Sequence, residues 1–427
     1  MNLANVQRPL AFGSDAKMIE IARGFGSPVL VHNEDSYRQS AREALRAPNA
    51  FGMHVRYAMK ANSHRVILKI LSEEGIDIDA SSYPEVKRAM AGGIEPHRIE
   101  LTSQMPLASE ELREIMELGV IYNATSLLQL RNYARLFAGS DRPFSVRINP
   151  GLGSGHNNRT NTAGLAASFG IWHEYLPEVL SIAKDHSLKI THLHTHVGSG
   201  SDWTIWQKAS RLTLGIARRM PDVETVNLGG GYKIDRIDAA KSIDFRTVFP
   251  HVKESFEEFA ADTGRKLKLE IEPGTYLSAN SCILVSRVCD VVDTGREGYN
   301  FIKLDASMTE LLRPMIYGAR HPFRLLGKSE DTSKDYVIVG TCCESGDIFS
   351  PREGDPEEVD TVSFPEAAIG DYLAIMGVGA YGISMSAKNY NSRPICAEVL
   401  IRSDGSHVLI SRRQEIEKIW ARELDIE

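Results

Sequence analysis

The sequence predicts an α/β chain: a closed (β/α)8 TIM barrel followed by a C-terminal all-β domain that the N-terminal segment joins. Three observations predict it. Short apolar runs alternate with helix-like stretches from about residue 50 to residue 275. After Gly274 that rhythm gives way to β-rich runs with few helical patterns between them. Ahead of both, SPVLVHN reads as a strand outside the alternating region, free to pair with the later ones.

The strands of the alternating region are expected at Val55–Met59, Ile76–Ala80, Arg98–Thr102, Val120–Ala124, Phe144–Ile148, Ile190–His196, Val223–Leu228 and Leu267–Glu272. Between them lie helical patterns such as VILKILSEEG, whose Ile67, Ile70 and Leu71 are three and four apart and share a face. Strands alternating with helices make a parallel sheet, and eight units over roughly 220–250 residues suit a closed barrel better than an open doubly wound sheet. In the second region SCILVSRVCDVV, NFIKLD, DYVIVG, DYLAIMG and AEVLIRSDGSHVLI read as strands, the last with Ser403-Asp404-Gly405 as a hairpin turn. The expected domains are 33–275 for the barrel, and 1–32 with 276–427 for a β-sandwich or Greek-key-like unit.

Composition narrows the function. Of the 427 residues 42% are hydrophobic and 25% charged, which suits a folded chain of two or three domains. Lys and Arg number 49 against 56 Asp and Glu, a net charge of -7, so there is no basic surplus for nucleic acid or an anionic membrane. No apolar run is long enough to span a bilayer, and MNLANVQRPLAFGSDAK does not read as a signal peptide. The five cysteines form no CxxC pair. Neither a disulfide framework nor a zinc finger is expected, and the chain is placed in the cytoplasm.

Barrel enzymes gather their chemistry just beyond the C-terminal ends of the strands. There the sequence puts Lys60, Asp79, His196 followed by Gly198-Ser199-Gly200, the run Gly229-Gly230-Gly231, and Glu272-Pro273-Gly274. A lysine at such a rim can form a Schiff base once its environment activates the amine, although a helix-capping surface lysine is the plainer role. Glycine runs let backbone N–H groups approach a phosphate, or simply make tight turns. His192, His194 and His196 alternate and so share a face, as a zinc-binding strand would require or as buried barrel histidines would show. A metal site leaves Lys60 and the glycine turns without work, so no metal is expected. An anionic, carbonyl-bearing cofactor uses all of them.

In this order along nearly the whole chain stand YAMKAN, HTHVGSG, NLGGGY, EIEPG, LLRPMIYGARHP, CCESGDIF and GAYGISMS. As a set they resemble the alanine-racemase-fold (fold-type III) pyridoxal-phosphate (PLP) decarboxylases, most closely the diaminopimelate branch. The resemblance implies a homodimer with shared active sites. It implies Lys60 as the Schiff-base lysine, His196 stacked on the cofactor ring, and Glu272 paired with the pyridine nitrogen. Ser199, Gly230, Gly231, Gly274 and Tyr381 would bind or flank the phosphate, and Asp79 would lie on the cofactor side. Arg313, Tyr317 and Glu344, with Tyr381, would hold the substrate, Cys343 and Glu344 reaching in from the partner subunit.

A carboxylate beside the pyridine nitrogen favours its protonated form, which makes PLP an electron sink. Cys343 is the expected proton donor, a thiol near pKa 8.5 being mostly protonated at neutral pH, whereas most free cysteines are small buried hydrophobes. Arg313 can fork onto a carboxylate with Tyr317 one turn on, and Glu344 can accept from an ammonium. That trio suits meso-2,6-diaminopimelate, decarboxylated to L-lysine. D-lysine, D-ornithine or a specialised diamino acid is the alternative, and a barrel metallohydrolase or an inactive homologue stand further off.

Three departures from the family pattern stand out. Thr275 follows Glu-Pro-Gly where the family has arginine, expected near the phosphate or the substrate's distal carboxylate. Gly200 replaces the Gln usual in the diaminopimelate branch. SMSAKNYNSR is one residue longer than usual near Ala387-Lys388. The stretch Gly155–Ile171 resembles the family's mobile active-site loop, and Arg320 or Arg159 is a possible stand-in for the missing arginine.

Overall fold

Each predicted run of the alternating region forms a strand because apolar and polar residues alternate along it, and both faces have a use. The computed structural model describes residues 12–153, 163–197, 200–328 and 333–426. The strands are β1 (Met53–Ala58), β2 (Asp77–Ala80), β3 (Ile99–Leu101), β4 (Ile121–Ala124), β5 (Phe144–Asn149), β6 (His192–His194), β7 (Thr225–Asn227) and β8 (Lys268–Ile271). They pair in parallel in chain order, and β8 closes onto β1 with Leu269 opposite Met53. One two-residue strand, Ile171–Trp172, adds to β5 outside the ring.

Around the barrel the outer faces are apolar. Val55, Tyr57, Ile78, Ile99, Leu101, Tyr122, Val146, Leu193, Val226 and Ile271 are all buried. Helices cover them. On Arg65–Glu73 the residues Ile67, Leu68, Ile70 and Leu71 are buried, and His64 caps its first turn by accepting from the Val66 amide. Helix Ser109–Leu118 ends at Gly119, whose φ of +92° makes the left-handed stop that glycine takes without strain.

The inner faces are polar, in contrast to the branched apolar layers that commonly fill such barrels. Arg56 of β1 meets Glu270 of β8 at 2.8 Å and, across the lumen, Glu100 of β3 at 3.1 Å. Burial pushes the Glu100 carboxyl well up, and the nearby charge of Glu270 adds to the effect. Burial also works against ionisation of Glu270, but Arg56 outweighs it and holds that group down to about 2. One arginine thus serves a carboxylate and a carboxylic acid.

These two compact units divide the chain. The barrel unit comprises Arg38–Ile234 and Ala240–Leu277, and the β-rich unit the described residues of Met1–Tyr37, Asp235–Ala239 and Ser278–Glu427. In the latter, Val29–Asn33 lies between Cys282–Asp293, antiparallel, and Ala397–Ile401, parallel. The early strand therefore joins the late ones, as the sequence predicts. The sheet has nine strands and is mixed. Its longest member, Cys282–Asp293, changes partners along its length, pairing with Tyr372–Met376 first and with Asn300–Leu304 beyond a bulge at Val288/Asp290. The predicted hairpin is present: Arg402 N–H donates to Ser406 O at 2.8 Å, and Gly405 takes φ +80°. A core of Leu284, Ile302, Tyr336, Ile338, Phe349 and Ile375 packs within this unit. Helix Asp15–Phe25 and the short strands Phe323–Leu325 and Val362–Phe364 are elements that sequence reading passes over.

Replacing Arg56 by Ala leaves Glu270 buried without its counter-charge. We expect a loss of about 3–5 kcal/mol, typical of a broken buried pair, seen as a lower unfolding midpoint by circular dichroism.

Candidate active site

Lys60 sits on a single turn of 3-10 helix, Met59–Ala61, immediately after β1. Its Nζ lies 3.1 Å from Asp79 Oδ2, and its side chain is 40% exposed where that of Asp79 is 1% exposed. The amine is thus held at one end and open to a ligand. Burial drives the Asp79 carboxyl up to about 7; Lys60 opposes this and the charge of Glu272 adds to it. Asp79 Oδ1 is buried with no hydrogen-bond partner among the described residues.

Glu272 stands one residue beyond β8 and is buried. Asn227 reaches across with its amide, donating to Glu272 Oε1 at 2.7 Å and to Glu270 Oε1 at 2.9 Å. His194 Nε2 lies 3.3 Å from Glu272 Oε2. The other ring nitrogen, Nδ1, is 3.0 Å from Asn123 Nδ2, whose amide also donates to Thr102 Oγ1 at 3.1 Å. With Asn123 as donor, His194 carries its proton on Nε2, toward Glu272. Burial disfavours the Glu272 charge, but His194, and then Lys60, overcome it and hold the carboxyl below the usual range.

His196 lies two residues past the end of β6, half-buried and edge-on to His194 with ring centres 6.3 Å apart. Burial, then the nearby Arg147, push its imidazole well below the usual range, so it is neutral. His194, His196 and Glu272 each bring one ligand atom to within 4.8 Å of the others, the grouping a metal reading would need. Nδ1 of His194 meets the Asn123 amide, while Nε2 approaches Glu272 at ion-pair distance without forming a hydrogen bond among the described residues.

Gly229 and Gly230 are dictated by space. A Cβ at Gly229 would lie 2.7 Å from His196 Cγ, and one at Gly230 would lie 2.5 Å from the Glu272 carbonyl oxygen. Gly231 has φ +99°. At Gly274 an added Cβ would come within 3.2 Å of Ala61. Ser199 lies outside the described residues. So do residues 155–162 of the loop-like stretch and Arg159, while Ile171 lies in a short strand on β5.

Two groups at this rim escape sequence reading. Arg147, on the inner face of β5, is 6% exposed and lies over the Phe169 ring at 5.3 Å. Burial pushes it down to about 10, with Glu272 and Asp79 acting the other way. Tyr232, stacked on Trp206 with centres 4.3 Å apart, has a buried hydroxyl with no partner among the described residues. The available signal is alternation: Arg147 is the polar member of Val146-Arg147-Ile148 in a wholly buried strand.

The β-rich unit holds the other predicted residues. Arg313 and Tyr317 open and close one short helix, which Gly318 terminates at φ +58°. Burial pushes the Arg313 guanidinium down, with Tyr381 and Tyr317 near enough to act on it. Tyr381 takes φ +55°, a left-handed conformation that a bulky residue adopts only under constraint. Cys343 and Glu344 are exposed. Asp347 shapes their loop, accepting from the Met308 amide at 2.8 Å and the Cys342 amide at 2.9 Å. Cys342 is the buried hydrophobe of the pair and Cys343 is not. The Cys343 amide donates to Asn391 Oδ1 at 2.7 Å. Asn389, Asn391 and Ser392 have positive φ, so this stretch runs through left-handed turns.

Residues 37–279 match the family described as pyridoxal-dependent decarboxylase, pyridoxal binding domain. The chain belongs to this family. It is 34% identical to the diaminopimelate decarboxylase of Escherichia coli (strain K12), covering 95% of this chain and 96% of that one. A crystal structure of diaminopimelate decarboxylase superposes with a TM-score of 0.87 at 31% identity over 99% of both chains. That of Helicobacter pylori, complexed with L-lysine, gives 0.84 at 26% identity, covering 94% of this chain and 98% of that one.

The family's cofactor is PLP, and the barrel rim fits it. An amine stands beside an orphaned carboxyl oxygen, a buried carboxylate is held ionised, and Gly229 and Gly230 leave space that any Cβ would fill. A pyridoxal-dependent decarboxylase needs all three.

A raised carboxyl destabilises the folded state once it ionises, so its contribution is intact below the unfolded pKa of 3.8 and lost as pH rises through about 7. Asp79→Asn removes that loss. In the cofactor-free protein the melting midpoint of Asp79→Asn relative to wild type should climb as pH is raised from 4 to 7 and then level off. A pH-independent difference would contradict the assignment.

Proposed function

We propose that this chain is a PLP-dependent carboxy-lyase that converts meso-2,6-diaminopimelate into L-lysine and carbon dioxide, working as a cytoplasmic homodimer. The observation that carries the substrate choice is Arg313, whose buried Nε has no hydrogen-bond partner among the described residues. A diamino acid with a distal carboxylate satisfies it; ornithine and lysine do not. The relatives called diaminopimelate decarboxylase support the same choice along almost the full chain.

Lys60 would hold the cofactor's aldehyde, His196 would face its ring, and Glu272 its pyridine nitrogen. Gly230, Gly231, Gly274, Ser199 and Tyr381 would serve the phosphate. The chemistry the cofactor supplies is an electron sink for the carbanion left when carbon dioxide departs. The protein's residues do the rest. Glu272, ionised and held by Asn227 with His194 close by, would favour a proton on the pyridine nitrogen. Neutral His196 adds no charge against that proton. Asp79 keeps Lys60 at the rim and, with a carboxyl poised near neutrality, exchanges a proton with the amine.

At the substrate's far end, Arg313 and Tyr317 take the carboxylate, and Glu344 of the partner subunit takes the ammonium. Cys343 of the partner subunit delivers its Sγ proton to Cα. The exposure of Cys343 and Glu344 within one chain supports that reading, because a group serving a neighbour's site must stand outside its own core. No helix among the described residues is long and apolar enough to cross a membrane, and the cysteines are free.

Carbon dioxide release over a panel of meso-diaminopimelate, L-lysine, L-ornithine and their D-forms tests the substrate: turnover is expected for diaminopimelate, and its absence would end the reading. Lys60→Ala should lose all cofactor trapped on the protein by borohydride. Cys343→Ala should lower kcat by about 10²–10⁴-fold, the usual worth of a general acid, with little change in KM.

A further inference from the structure

In the β-rich unit Cys343, Glu344, Ser345 and Gly346 are exposed, yet three successive residues at the head of their loop are each gripped by a different side chain. Arg393 Nη1 donates to Thr341 Oγ1 at 2.9 Å. The Cys342 amide donates to Asp347 Oδ2 at 2.9 Å. The Cys343 amide donates to Asn391 Oδ1 at 2.7 Å. Asp347 is 2% exposed and lies against Gly340, where any Cβ would collide with its carboxylate. Its other oxygen takes the Met308 amide at 2.8 Å, which ties the loop to the segment that follows strand Asn300–Leu304.

Two of the three grips come from one short segment, Asn389 to Arg393. Its backbone is left-handed at Asn389 (φ +62°), Asn391 (φ +51°) and Ser392 (φ +52°). Such conformations persist where the surroundings fix them. Asn389 Nδ2 donates to the Arg393 carbonyl at 2.9 Å and to Gln414 Oε1 at 2.6 Å, and Gln414 Oε1 also takes the Ile395 amide at 3.1 Å. The Arg393 guanidinium spans from Thr341 to the Asp305 carbonyl, which its Nη2 meets. Asn391 and Arg393 are thus aimed at the loop from a fixed base. Asparagine enters the left-handed region more readily than most side chains and brings an acceptor, and position 391 uses both properties.

Exposed loops are ordinarily among the more mobile parts of a protein. This one is braced within its own chain. Bracing matters to a thiol that must meet one carbon from one side, because a misplacement of about 1 Å can cost about 10²-fold in rate. We propose that Asn391 and Arg393 are positioning residues: they hold the backbone of Cys343 so that its thiol enters a neighbouring subunit's site already aimed at the substrate's Cα. This rests on the proton-donor reading above.

The test is a double-mutant cycle on the holoenzyme. Asn391→Gly removes the acceptor and keeps the left-handed backbone without strain, and Asn391→Asp keeps an acceptor in place. For each, alone and combined with Cys343→Ala, kcat and KM are measured with meso-diaminopimelate, and amide exchange over residues 341–344 is followed by mass spectrometry. Asn391→Gly should lower kcat by about 10–100-fold with KM within about three-fold, and speed exchange at Cys343 by about 3–10-fold. Asn391→Asp should restore kcat to within about three-fold of wild type. In the Cys343→Ala background Asn391→Gly should move kcat by less than about two-fold, since nothing is left for it to position. Arg393→Lys keeps the charge and loses the span from Thr341 to Asp305; it should lower kcat by about 3–10-fold in the same cycle, and it carries the test if Asn391→Gly does not fold. A loss that persists in full in the Cys343→Ala background, or an unchanged kcat in the folded single variants, overturns the proposal and leaves Cys343 as the donor. Unchanged exchange at Cys343 in Asn391→Gly overturns it whatever the turnover. An unchanged kcat in Cys343→Ala alone removes the donor reading, and this proposal with it.

Discussion

Arg56 is one guanidinium for two buried carboxyl groups, Glu100 and Glu270, and that imbalance organises the barrel interior. In a low-dielectric lumen only one of the two stays ionised, so Glu100 keeps its proton and Glu270 does not. Glu270 then has an oxygen to offer Asn227, whose amide spans to Glu272. From the other side Thr102, Asn123 and His194 form a second chain that ends on the same carboxylate. Glu272 is therefore held from one side by the Asn227 hydrogen bond and from the other by the approach of His194 at 3.3 Å, from residues on six strands or their ends. A buried carboxylate so placed cannot turn away or take up a proton cheaply.

The consequence is a division of labour between two acids at one rim. Asp79 and Glu272 are both fully buried, yet their surroundings push them in opposite directions. Glu272 has the Asn227 donor on one oxygen and His194 3.3 Å from the other, and stays charged. Asp79 has one oxygen on Lys60 and the other without a partner among the described residues, and stays near the point of exchange. Two carboxyl groups driven apart in this way can serve two purposes, a fixed charge and a movable proton.

Much of this was legible in the sequence because barrel strands carry a two-residue period. All eight strands, the late β region, its hairpin and the joining of the early strand follow from alternation and turn residues. So does the convergence of Lys60, Asp79, His196 and Glu272 on one rim. What alternation conceals is direction. In Val55-Arg56-Tyr57 or Tyr122-Asn123-Ala124 the pattern shows two faces and does not say which one is the lumen. A polar lumen inverts the common expectation, so Arg56, Glu100, Asn123, Arg147 and Asn227 pass as ordinary surface residues until ring closure turns them inward. The bond between Asn391 and Cys343 is hidden differently: the two lie 48 residues apart, and only folding of the β-rich unit joins them.

Selectivity follows from what is left unsatisfied. A pocket that merely admits a substrate rejects an analogue weakly, whereas one with buried polar groups awaiting partners rejects it strongly, because the wrong ligand leaves them unpaired. Arg313 is a group of that kind: its Nε is buried without a hydrogen-bond partner among the described residues, on a one-turn helix closed by Gly318. A ligand with an ammonium alone at its far end would set a second positive charge against that guanidinium and leave its Nε unpaired.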